Sequence, residues 1–95
     1  MNNQQQIQIK ATDEALKGLY ANMAQVAHNS EEFVVDFMNV FPPAGNLVAR
    51  VVLSPGHMKR LAAALVDNIK KYEDQFGEIK SSNLPEHKIG FRTEQ

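Results

Sequence analysis

SPGHMKRLAAALVDNIKKYEDQFG, residues 54–77, carries both ends of a helix within itself. Ser54 offers a hydroxyl to one of the backbone N–H groups left orphaned at a helix start. Pro55 follows at the first helical position, where its missing N–H costs nothing. Gly77 stands where a left-handed residue closes a helix. Between them Met58, Leu61, Ala62, Leu65, Ile69, Tyr72 and Phe76 recur at steps of three and four, so they share one face. The remaining ordered chain is expected to supply the surface that buries this stripe.

Three segments upstream read as strands. LVARVVL (residues 47–53) and EEFVVDFMNVF (31–41) are rich in Val and Phe. LYANMAQVAH (19–28) contains three alanines, which favour helix, but its place before Asn29-Ser30 and a clear strand makes it the first arm of a hairpin. PPAGN, residues 42–46, marks the second turn.

Strand side chains alternate between faces. With a tight turn at Asn29-Ser30 and a longer loop over 42–46, Ala24, Val26, Phe33, Val35, Phe37, Ala49, Val51 and Leu53 fall on one face. That face is wholly apolar and is expected to meet the helix stripe. The other carries Met23, Gln25, Ala27, Glu32, Val34, Asp36, Met38, Val40, Val48, Arg50 and Val52. It is too apolar for a solvent face, and no second helix is available to cover it, so self-association is expected there. Asp36 and Arg50 share this face at a diagonal, within reach of a two-pronged ion pair.

Further out the signals thin. Residues 1–6 form a polar, Gln-rich lead expected to be disordered. Ile7, Ile9 and Ala11 alternate with Gln8 and Lys10 as in a short edge strand. Thr12 is placed to cap one helical turn, Asp13 to Lys17, ended by Gly18. Beyond Ile79 the chain turns polar, and residues 80–95 read as a flexible tail whose Leu84, Ile89 and Phe91 can dock on a neighbour. Residues 7–79 are thus expected to form one α+β domain: an antiparallel meander of three or four strands with one long C-terminal helix packed on a sheet face.

Ninety-five residues bound the chain to one small domain with a marginal core. A formal net charge of -1 gives no broad reason to expect nucleic acid or an anionic membrane as partner. The absence of cysteine excludes disulfides and thiolate zinc sites. The N-terminus lacks the pattern of a signal peptide, and no apolar run reaches the length of a membrane span, so a cytoplasmic location is expected.

Little here points to chemistry. Gly45 and Gly56 are isolated, so there is no glycine-rich phosphate loop, and Ser54 is accounted for as a cap. His28, Glu31 and His57 can be imagined around a metal, but no paired ligand spacing supports it, and His87 stands apart. His57, Lys59, Arg60, Lys70 and Lys71 make the helix locally basic, with Asp67 and Asp74 interleaved at i,i+4 spacing. No catalytic residue, cofactor or metal is expected. The leading expectation is a non-enzymatic homo-oligomeric interaction module, chaperone-like or an adaptor, using Met23, Gln25, Val34, Asp36, Met38, Val48, Arg50 and Val52. Its partners are further copies of itself and apolar peptide segments, to which Met surfaces adapt. The alternative is a nucleic-acid-associated regulator using the basic helix residues.

EEFVVDF, RVVLSPGHMKRL and NIKKYEDQFGEI together resemble a family of small bacterial and archaeal proteins catalogued as a domain of unknown function. The likeness runs from Leu19 to Ile79 through Asn22, His28, Glu32-Phe33, Asp36-Phe37, Arg50-Val51, Ser54-Pro55, Lys59-Arg60-Leu61, Tyr72-Glu73 and Phe76-Gly77. It implies no activity. The layout of a sheet followed by a long helix is also similar to the export chaperone SecB, a likeness of architecture alone.

Overall fold

A computed structural model describes residues 5–80 and 89–93 of the chain. Its elements are α1 (Asp13–Lys17), β1 (Met23–His28), β2 (Phe33–Phe41), β3 (Ala44–Leu53) and α2 (Pro55–Phe76). The strands form one antiparallel sheet in the order β1-β2-β3, and the fold is α+β. The chain comprises two compact units, residues 1–60 and 61–95, with the division inside α2. Most of the polar lead, and residues 81–88 and 94–95 of the tail with Leu84 and His87, lie outside the described residues.

Among the described residues the sheet has three strands. Ile7 and Ile9 are in no strand and are 75% and 82% exposed. Alternation alone does not make a strand, because a lone extended segment has no ladder to join. The single turn α1 does form: Thr12 Oγ1 accepts from Ala15 N at 3.0 Å, and Gly18 ends it with φ 78°.

Both connections differ from the expected ones. The first spans residues 29–32, with His28 opposite Phe33. Asn29 shapes it, its Oδ1 accepting from Glu31 N at 2.8 Å and Glu32 N at 2.9 Å. Glu32 therefore belongs to the turn and not to a sheet face. The second is a two-residue turn through Pro42-Pro43, joined by a cis peptide bond, with Phe41 opposite Ala44.

That short turn on its own sets a register that pairs Asp36 with Ala49. A β-bulge corrects it. Phe37 faces Ala49 while Met38 faces Leu47, so Val48 is an extra residue in β3. Beyond it Asp36 faces Arg50, Val35 faces Val51 and Phe33 faces Leu53. The first hairpin, and the second beyond its bulge, are each displaced by two residues from the expected pairing, so apart from Glu32 the two sets of face residues survive.

Burial departs further from expectation. Among the described residues only Val35, Met38 and Leu53 form a buried apolar core, joined by Asp36. The apolar face is open at Val26, 55% exposed, and less so at Phe37 and Val51. The opposite face, expected to be the uncovered one, holds Met38 at 3% and Asp36 at 6%. Both lie on the central strand, shielded by neighbours on either side.

α2 has the caps its sequence requires. Ser54 Oγ accepts from His57 N at 3.2 Å, and Gly77, at φ 97°, donates its N–H to Glu73 O at 2.8 Å. The stripe is not buried as expected. Met58 and Leu61 are partly covered, but Leu65, Ile69, Tyr72 and Phe76 are exposed, from 49% at Ile69 to 66% at Phe76. An apolar stripe at helical spacing shows that a face seeks burial, not what covers it.

Candidate functional site

The sheet face expected to carry function is assembled from all three strands. Gln25, Asp36 and Arg50 lie in one row, Met23 and Met38 in the next with Leu47, and Val34 with Val52 in the row toward the first turn. Val48, half-buried at the bulge, shares the face of Arg50 by alternation. Of the residues expected on this face, all but Glu32, which belongs to the first turn, are brought to it.

At its centre Asp36 and Arg50 are directly opposite, not diagonal as expected, because the shorter second turn and the bulge together displace β3 by two residues from the expected pairing. Arg50 Nε donates to Asp36 Oδ1 at 2.6 Å and Nη2 to Oδ2 at 2.9 Å. Both carboxylate oxygens are engaged, the geometry in which guanidinium and carboxylate fit best. The Asp36 side chain is 8% exposed and that of Arg50 51%. The hydrogen bond from Arg50 holds the Asp36 carboxyl below its ordinary value; partial burial opposes this and the guanidinium charge reinforces it. Arg50 is held still more firmly protonated, first through the same hydrogen bond. A carboxylate so fixed is a poor proton acceptor at neutral pH. What the pair does chemically is lock two strands in register and present a cationic edge beside Met38 and Val52.

Asn22 went unread as a structural residue. Its Oδ1 accepts from Val40 N at 2.9 Å and its Nδ2 donates to Val40 O at 3.1 Å, while its own N–H reaches Met38 O at 3.1 Å. The amide thus imitates a backbone pair and extends the sheet one step past the end of β1. The legible signal is an amide side chain just ahead of a strand, able to satisfy a donor and an acceptor at once.

The basic residues of α2 lie toward its two ends. Lys71 Nζ pairs with Asp67 Oδ2 at 3.1 Å, whereas Lys70 and Asp74, at the same spacing, form no ion pair. Only the first pair has the acid N-terminal to the base, the order a helix favours. His57, Lys59 and Arg60 lie in the first two turns. Among the described residues no group of three or more His, Asp or Glu side chains could hold a metal ion, so His28, Glu31 and His57 do not assemble one. His28 instead stacks on Phe33, with ring centroids 5.2 Å apart.

The family described as a protein of unknown function (DUF3467) matches residues 1–81, which include every motif that carried the resemblance. The chain belongs to that family. No curated protein and no solved structure matches it. In this DUF3467 chain no described helix is long and apolar enough to cross a membrane. The features at hand are therefore surfaces: the Asp36–Arg50 face, the open apolar face around Val26, Phe37 and Val51, and the exposed stripe of α2.

Proposed function

We propose that this chain is a non-enzymatic protein-interaction module that works in the cytoplasm as a homo-oligomer. One observation carries the reading: three apolar side chains are buried among the described residues, while many large ones along the sheet and α2 are exposed. So small a core does not offset the conformational entropy of a chain this long, and association is how small domains complete theirs. The two open surfaces also differ in form, one a flat sheet face and the other a helical stripe, and such surfaces suit different partners. Self-association consumes part of this area. The remainder binds extended apolar segments of other proteins, as a chaperone or adaptor does.

The nucleic-acid alternative has less behind it. The segment Pro55–Phe76 has four Lys and Arg against three Asp and Glu, and one of the lysines is paired with Asp67. That is not the basic footprint of a nucleic-acid surface. Light scattering on the full chain tests the proposal. The expected mass is at least twice the 10.6 kDa of one copy, and a stable species of 10.6 kDa overturns it. Slowing of aggregation of an unfolded client protein tests the chaperone reading separately.

A further inference from the structure

The two outer edges of the sheet are unequal. Along β3 the edge is broken by the Val48 bulge, begins beside Gly45 and carries Arg50. β1 reads MAQVAH and has no bulge, proline, glycine, lysine or carboxylate. Those are the devices by which edge strands are kept from pairing with other chains. An edge without them is a template.

The hydrogen-bond alternation shows which of its groups point outward. Asn29 N donates to Glu32 O at 3.0 Å, so the bond lies one step beyond the His28–Phe33 pair, and that pair is itself non-hydrogen-bonded. By alternation Ala27 and Gln25 point their backbone groups at β2, while Ala24, Val26 and His28 point theirs away from the sheet. These three are symmetric about Val26.

We infer that two copies join edge to edge through antiparallel β1 strands, with the two-fold axis at Val26, giving a continuous six-stranded sheet. This rests on the homo-oligomeric reading above and names its surface. A two-fold perpendicular to the sheet keeps each face on its own side, so residues must pair with partners of the same face. Of the registers that obey this, centring on Val26 engages all three outward residues: Val26 meets its copy and Ala24 meets His28, six backbone hydrogen bonds in all. On the other face Gln25 meets Ala27. No charged side chain meets its like across the axis, whereas a β3 pairing centred on Arg50 sets two guanidinium groups together. The apolar face of Val26, Phe37 and Val51 then runs unbroken through the axis.

The absence of native cysteine makes the test direct. Residues paired across an antiparallel ladder lie within the span a disulfide bridges. Val26→Cys, at an exposed position, is expected to convert most of the full chain to a disulfide-linked dimer on oxidation with diamide. Ala24→Cys or His28→Cys alone is expected not to cross-link, but a mixture of the two is. Val52→Cys, on the β3 edge, serves as the control. Cross-linking through Val52 in place of Val26, or an oligomer by light scattering in which Val26→Cys and the mixture both stay unlinked, overturns the β1 edge and leaves self-association standing. A 10.6 kDa species throughout overturns both.

Discussion

Asn22, Asp36 and Arg50 show how far single residues could be read. The Asp36–Arg50 pair was legible as two opposite charges on one face; its direct opposition was not, because that depends on a bulge with no mark of its own in the sequence. Asn22 was visible only as one letter in a pattern, since its role is a long-range contact with Val40. Asn22→Ala is expected to lower stability by about 1 kcal/mol, the net value of a typical hydrogen bond, read as an earlier urea midpoint at fixed protein concentration. The Asp36 carboxyl loses its proton more readily in the folded than in the unfolded chain. Below the ordinary value of 3.8 the unfolded chain therefore binds the proton first, so stability falls as pH drops through that range. Arg50→Lys keeps the charge but not the fork. Its acid unfolding is expected to have a shallower pH dependence than the wild type; identical profiles would show that the pair is not the source.

At the scale of elements, caps were more legible than registers. Thr12, Gly18, Ser54 and Gly77 act through bonds to their near neighbours, so local chemistry places them. Ser54→Ala is expected to cost about 1 kcal/mol, measured as a lower thermal midpoint, with little change in secondary structure. Strand faces were legible because alternation is also local, but turn lengths were not: Asn29 extends the first connection and Pro42-Pro43 shortens the second. Val48 reconciles that short turn with the face pattern. Deleting it joins Leu47 to Ala49 and is expected to leave a regular ladder in which Asp36 still faces Arg50 and Leu53 still faces Phe33. The deletion variant is therefore expected to keep cooperative unfolding, read by urea titration. Loss of cooperative unfolding on deletion would show that the bulge itself is required.

At the scale of the whole molecule, the sequence identified the fold class but not how far each face is buried. The stripe of α2 and the apolar sheet face were each read as the other's cover, yet Leu65, Ile69, Tyr72, Phe76 and Val26 are all open, and the better-buried centre is the Asp36–Met38 face. Amphipathic patterns say that a face seeks burial; they do not say whether the covering surface comes from the same chain or another. A second chain makes folding and association one equilibrium, in which dilution destabilises the protein by mass action. The thermal midpoint measured over a hundredfold range of protein concentration tests this most directly. It is expected to rise steadily with concentration; a midpoint independent of concentration, in a species of 10.6 kDa, would contradict the homo-oligomer.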